Sequence, residues 1–298
     1  MKPDISICIT NYNAKDFLRD CLRSIYGTTD TLTFEIIVVD NFSGDGGPEM
    51  IRSEFPDVKL LTNEGNTGFT RPYNQAMRLA QGRHVVVLNP DTVIFPKAFA
   101  ELVGFLDSHP EVGIVSPKVL NRDGTLQKQC RRSEARPWDA ICYFSGLSRL
   151  FPHDKRFAGY LMTYLPEDLT HEAEAVSGSC MVVRREVVEQ VGYFDEDFFA
   201  YQEDSDYCRR TRLAGWKIFY VPTAQITHYG GEGGSKVQPY RTIIEWHRSY
   251  YLYFRKHFAK DYFFLFNYLY YLMMLTKLGY ALFPNLFRRK KIVSTPKP

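Results

Sequence analysis

Short unbroken apolar runs alternate, over the first third of the chain, with segments whose apolar positions recur every three or four residues. ISICIT (5–10) is such a run, and AKDFLRDCLRSIYG follows it. In that segment Phe17, Leu18, Cys21, Leu22 and Ile25 share one helical face, and Gly27 predicts its stop. FEIIVVD (34–40) predicts a second strand. The turn cluster NFSGDGG then leads to Pro48, a first-turn proline for the helix PEMIRSEF. VKLL (58–61), PYNQAMRLA and HVVVLN predict a third strand, a third helix and a fourth strand. Strands without polar interruption, separated by helices, predict a parallel sheet covered on both faces. In such sheets ligands bind beyond the carboxyl ends of the strands.

Polar residues gather at those ends. Thr10, Asn11 and Tyr12 follow the first strand; Asp40, Asn41 and Ser43 follow the second. Asn63, Asn66 and Gly68 follow the third, and Asn89 and Asp91 the fourth. Any one cluster reads as turn chemistry, because Asn, Asp and Gly are the usual loop formers. Four on one rim predict a cleft.

Residues 121–175 read as irregular and carry an arginine group, Arg131, Arg132 and Arg136, that either meets a lipid diphosphate or forms a solvated loop. Regular patterning returns with the strand MVV, the helix REVVEQVG, an acidic loop, a helix ended by Gly215 and the strand WKIFYV. The tail differs: between 262 and 287 only Lys277 is charged, and RRKK follows at 288–291. Its uncharged run falls short of the roughly 20 residues of a comfortable membrane span. The aromatic content and basic flank predict a helix lying in a membrane interface, the alternative being a helix packed in the core.

Composition narrows the classes. A chain of 298 residues allows one large domain, or one domain with an appendage. A net charge of +3 is too small to suggest nucleic acid as a partner. The six cysteines are scattered with no CxxC pair, which argues against zinc and against a disulfide framework and for a reducing compartment. The first strand begins almost at once, with no basic-then-apolar leader before it, so the expected location is cytoplasmic, peripheral on the inner face of the cell membrane.

The chemistry sits in Asp40, Asp91, Glu203, Asp204 and Asp206, far apart in sequence. No dinucleotide glycine fingerprint and no phosphate-binding GxxxxGK[ST] loop occurs. A cleft with carboxylates and no basic nest binds phosphate most simply through Mg2+ or Mn2+.

The motifs ISICITNYN, VVDNFSGDGG, NEGNTGF, LNPDT, FDEDFFAYQEDSDYCRR and ITHYGGEGGS follow one another in the chain. In that order the chain resembles the inverting nucleotide-sugar glycosyltransferases of family two, in their bacterial rhamnosyltransferase-like branch. The resemblance implies an α/β GT-A fold, a Rossmann-like, mixed but mainly parallel sheet with helices on both faces, over residues 1–238. Residues 1–120 would form the nucleotide-binding half and 121–238 the acceptor and catalytic half. Residues 239–298 would form a helical, aromatic-rich tail that associates with the membrane.

The same resemblance implies roles. Asp91 would hold the metal that bridges the donor diphosphate, with His228 as a further ligand. Asn89 stands where many members have a first aspartate. Asp40 would accept the N3–H of a uracil or thymine; Thr10, Asn11, Tyr12, Asn41, Ser43, Asn66, Gly68 and Asn89 would complete the nucleotide site. Arg71, Pro72 and Tyr73 depart from the family pattern, so only Asn74 is carried over from that segment. Asp204 would be the catalytic base, Glu203 would help to bind acceptor, and Asp206 would be structural. The GGEGGS stretch would be a mobile lid or simply a loop. The implied donor is dTDP-rhamnose, with a UDP-hexose or UDP-galactofuranose as the alternative, and the acceptor a lipid-linked saccharide or cell-surface polysaccharide intermediate. A reading of another class is a non-catalytic, membrane-associated module that binds nucleotide sugars.

Overall fold

The computed structural model describes residues 2–29, 31–232 and 239–286. The end of the GGEGGS stretch and the RRKK cluster lie outside the described residues. The strands are β1 (Ile5–Asn11), β2 (Phe34–Asp40), β3 (Lys59–Thr62), β4 (His84–Leu88), β5 (Thr92–Ile94), β6 (Val112–Leu120), β7 (Arg131–Arg132), β8 (His171–Glu172), β9 (Ala175–Val176), β10 (Cys180–Arg184) and β11 (Lys217–His228). The α-helices are α1 (Lys15–Thr28), α2 (Gly47–Glu54), α3 (Thr70–Leu79), α4 (Ala98–Ser108), α5 (Pro137–Ser145), α6 (Leu147–Leu150), α7 (Lys155–Ala158), α8 (Arg185–Val191), α9 (Glu203–Leu213), α10 (Pro239–His257) and α11 (Phe264–Leu286).

Nine strands form one sheet in the order β3-β2-β1-β4-β10-β6-β11-β5, with β8 added against β11. The pairs β3-β2, β2-β1, β1-β4 and β6-β11 are parallel. β10 runs against both of its neighbours, and β5 and β8 run against β11. The sheet is therefore mixed, and the parallel half is the one read from the first 90 residues. WKIFYV and AQITH, two separate strand signals, are one strand, whose pairing with β6 shifts register between Val221 and Gln225.

Side-chain alternation along the strands divides the core. Ile5, Ile7 and Ile9 point to one face and meet α1, α2 and α4 through Leu18, Leu22, Ile51 and Leu102. Cys8, Val85 and Val87 point to the other and meet α3, α8 and α9 through Tyr73, Met77, Val187 and Tyr207. Each such fully buried aliphatic side chain contributes roughly 1.5–3 kcal/mol. All six cysteines are buried free thiols.

A third cluster holds the tail. Tyr250, Tyr253 and Phe254 of α10, with Phe258 just after it, pack with Tyr160, with Phe198 and with Tyr270, the last from α11. α10 is thus docked on the sheet domain, whereas α11 exposes Phe263 just before it and Phe264, Tyr268, Leu269, Leu272, Leu275 and Tyr280 along it. Among the described residues no helix is long and apolar enough to cross a membrane.

Candidate active site

The sheet order explains the rim. β1, β2 and β4 run in register and end side by side, with Asn11 opposite Asp40. β10 runs the other way, so its start reaches the same edge, where Asn89 N–H donates to Ser179 O at 3.0 Å. β11 ends there too, and His228 pairs with Thr92.

On the first side of the rim the expected nucleotide residues form a tight network. Asn11 Nδ2 donates to Asp40 Oδ1 at 2.8 Å and to Ser43 Oγ at 3.1 Å. Ser43 N–H donates to Asp40 Oδ2 at 2.9 Å, the Asx-turn open to an aspartate three residues earlier. Asn11 and Asp40 are buried, and neither they nor Ser43 lines the cavity described below. Asn41 ties the next loop: its Nδ2 donates to Asn66 Oδ1 and Gly68 O, and its Oδ1 accepts from Asn63 and Thr67. Gly68, at φ +94°, could carry no side chain, since a Cβ there would lie 2.4 Å from Phe199 O. Asn74 does not reach the cavity. It is buried, accepts from Phe194 N–H and donates to Phe194 O, pinning the acidic loop from α3.

Asp91 and His228 meet as the motif order implied. His228 Nε2 lies 3.1 Å from Asp91 Oδ1 and 3.1 Å from Asn89 Nδ2. Its other nitrogen, Nδ1, is 2.7 Å from Gln127 Oε1, and Gln127 Nε2 in turn donates to Asn121 Oδ1, which orients the amide. The proton of a neutral imidazole therefore sits on Nδ1, leaving a lone pair on Nε2. That lone pair and Asp91 Oδ1 are then two acceptors in contact, an arrangement that a proton or a cation between them satisfies. Burial works to raise the Asp91 carboxyl, but His228 and the Glu232 N–H outweigh it and hold it below the usual carboxylate range. An oxygen and an imidazole nitrogen suit Mn2+, and with donor phosphates supplying further oxygens they suit Mg2+. Among the described residues no group of three or more His, Cys, Asp or Glu side chains could hold a metal ion by itself.

The second wall is strained. Tyr201 and Gln202 both take positive φ, 69° and 61°, immediately before Glu203 opens α9. Each costs on the order of 1–3 kcal/mol, tolerated where surrounding contacts impose it. Asp204 is well supported: Oδ2 accepts from Arg132 Nη2 at 2.6 Å and Gly178 N–H at 3.1 Å, and Oδ1 from Ser205 N–H at 2.6 Å. Glu203 is the opposite. Its Oε2 is buried without a hydrogen-bond partner, and burial, reinforced by the Asp204 charge, pushes its carboxyl well above the ordinary range. Asp206 is structural, as read from its position one step inside the helix: wholly buried, it joins Arg210 of its own helix to Lys256 and His257 of α10.

One cavity of about 490 Å³ collects these walls. Thr10, Tyr12, Asn41, Asn66, Gly68, Asn89, Asp91, Glu203, Asp204 and His228 all line it. So do residues that the motif reading passed over: Arg132, Phe199, Tyr201, Arg241, Trp246 and Tyr250. Arg132 lay in the noted arginine group, yet neither of its expected roles holds; it is buried and spent on Asp204, while Arg136 pairs with Glu174. Arg241, Trp246 and Tyr250 come from α10, whose aromatic periodicity was legible only as part of the tail.

Comparisons with known proteins agree with this geometry. Residues 3–248 match the family model described as glycosyltransferase like family 2. The chain is 28% identical over 260 residues to an N-acetylglucosaminyl-diphospho-decaprenol L-rhamnosyltransferase of Mycobacterium tuberculosis, covering 84% of this chain and 83% of that protein. Among solved structures, a mannosyltransferase from Pyrobaculum calidifontis in complex with GDP-Man and Mn2+ superposes with a TM-score of 0.57 at 19% identity, over 98% of this chain and 77% of that one. GalNAc-T7 with UDP, GalNAc and Mn2+ gives 0.59 at 16% identity, over 85% and 48%. The fold is GT-A-like, and the chain belongs to glycosyltransferase family two.

Proposed function

We propose that the protein transfers L-rhamnose, with inversion, from dTDP-rhamnose onto a lipid-linked saccharide of a cell-surface polysaccharide. The observation that carries this reading is that the Asp91–His228 pair and the Glu203–Asp204 pair open into one cavity. The rhamnosyl donor and the lipid-linked acceptor are supported by the named mycobacterial relative, and the acceptor also by the exposed apolar face of α11, which would lie on the inner membrane surface.

In this mechanism Thr10, Tyr12, Asn66 and Asn89 border the nucleotide and its ribose. Asp40, fixed by Asn11 and Ser43, stands behind that wall and braces it without lining the cavity. Asp204 takes the proton from the acceptor hydroxyl as that oxygen bonds to the anomeric carbon and the bond to the diphosphate breaks. Arg132, bound to Oδ2, holds the Asp204 carboxyl in place. Glu203, neutral in its buried setting, hydrogen-bonds an acceptor hydroxyl. Asp91 and His228 would hold Mg2+ or Mn2+, which when bound offsets the charge on the leaving diphosphate.

Calorimetric titration with dTDP and UDP, each with and without Mn2+, tests the donor side. The expected result is metal-dependent binding of dTDP that Asp91→Ala abolishes. Preference for UDP would make the donor a UDP-hexose or UDP-galactofuranose; no binding of either nucleotide would overturn the cavity reading.

A further inference from the structure

A second hollow, of about 600 Å³, opens beside the catalytic cavity between the α5–α6 turn and helices α10 and α11. Tyr143, Thr242 and Trp246 line both, so the two share a wall. Tyr143, Phe144 and Trp246 give it aromatic walls and it contains no carboxylate, yet it holds two cations. Lys277, half-buried on α11, places Nζ 4.1 Å from the Trp246 ring centroid and 4.5 Å from that of Phe144. Its one polar contact among the described residues is His247 Nε2 at 3.3 Å. His247 Nδ1 is 2.7 Å from Ile243 O and donates to it, which leaves Nε2 an acceptor for the ammonium. Arg149, exposed on α6, makes no ion pair among the described residues.

An ammonium withdrawn from water without an anion is costly, and aromatic faces recover only part of that cost, about 0.5–2 kcal/mol. Burial accordingly pushes Lys277 below the usual lysine range. An anionic ligand supplies what is missing. Along the same face of α11, at helical spacing from Lys277, stand the exposed Leu269, Met273 and Tyr280. The cations thus lie between the catalytic cavity and an apolar stripe.

We infer that this hollow is the seat of the acceptor's lipid diphosphate. Lys277 and Arg149 engage the phosphates, Phe144 and Trp246 flank the first isoprenoid units, and the chain leaves along α11. The acceptor sugar then reaches past Trp246 to Glu203 and Asp204. The inference rests on the lipid-linked acceptor proposed above, and it adds the place in the fold and the residues that would hold a polyprenyl diphosphate.

The test is equilibrium binding of farnesyl diphosphate, followed by tryptophan fluorescence, against farnesol and inorganic pyrophosphate, with dTDP and UDP binding measured in parallel. The expected result is that farnesyl diphosphate binds more tightly than either fragment and does not compete with the nucleotide. Lys277→Met keeps the aliphatic stem and removes the charge. It should weaken that binding about tenfold to a hundredfold, as expected for one charge-assisted contact, and leave nucleotide binding unchanged. Arg149→Gln, at an exposed position with no folding role, should weaken it in the same direction. Farnesyl diphosphate binding that both variants leave intact, or that the nucleotide displaces, would overturn the inference. Loss of nucleotide binding in the unaltered protein would instead count against the donor reading, so the two failures are separable.

Discussion

Glu203 and Asp204 are neighbours in sequence and opposites in environment. Asp204 is paired with Arg132 and hydrogen-bonded at both oxygens; Glu203 is buried with one oxygen unpaired. Asp204→Asn should therefore lower turnover by about 10²–10⁴ while nucleotide affinity holds, read from steady-state rates beside calorimetry. Glu203→Gln should cost less in rate and alter the stability profile. Its raised pKa means that the folded state keeps the proton and the unfolded chain releases it. Stability is then fully present below the ordinary carboxylate range and declines as pH rises through neutrality. The Gln variant, with no proton to lose, should unfold with a flatter pH dependence in thermal melts between the ordinary carboxylate range and the raised value of about 8. Gln127 is a positioning residue of the same kind, since it fixes which nitrogen of His228 faces Asp91. Gln127→Leu should weaken Mn2+ binding about 10–100-fold, measured by the paramagnetic signal of the free ion, with or without turnover.

At the scale of elements, α9 and α10 are fastened by one carboxylate. Asp206 Oδ1 accepts from His257 Nε2 at 2.7 Å and Lys256 Nζ at 2.6 Å, while Oδ2 accepts from Arg210 at 2.8 Å. Burial acts to raise this carboxyl, but the hydrogen bond from His257 and the charges of Arg210 and Lys256 outweigh it and hold it far below the usual range. The group is deprotonated in the folded state where the unfolded chain would already take up a proton. Its contribution is thus present above the ordinary aspartate pKa and lost as pH falls through the folded value. Asp206→Asn should lower the melting temperature at pH 7 and reduce the loss of stability on acidification. The measurement is a pair of melting curves followed from pH 7 to pH 3. Because α10 carries Arg241, Trp246 and Tyr250 into the cavity, the same variant should also weaken acceptor use without touching nucleotide binding.

On the scale of the whole molecule, the proposed donor side is built by the sheet rim and the proposed acceptor side by α9, α10 and the segment from β7 to α7. The exposed face of α11 continues from the second of these toward solvent. With the proposed membrane contact, Leu272→Glu together with Leu275→Glu should abolish sedimentation with anionic phospholipid vesicles and leave nucleotide titration unchanged. Retained sedimentation would remove α11 from the interface. The parallel half of the sheet was legible because its strands are unbroken Val and Ile runs punctuated by Asn, Asp and Gly. Asn74 and Arg132 were not, because their partners lie 120 and 72 residues away. The short elements between 121 and 175 were equally hidden: two-residue strands and single-turn helices leave no period to read.

The sequence by itself determined the alternation of strands and helices, the gathering of polar residues at strand ends and, through motif order, the family. These are local properties, carried by spacing along the chain. Tertiary structure alone decided that β10 inserts antiparallel and brings Gly178 and Ser179 to the rim, and that Arg132 holds Asp204. It alone decided that one oxygen of Glu203 is left without a partner and that Gln127 sets the tautomer of His228. Each of these depends on which distant group a buried polar atom meets, and in a low-dielectric interior that meeting fixes charge and proton position more strongly than residue type does.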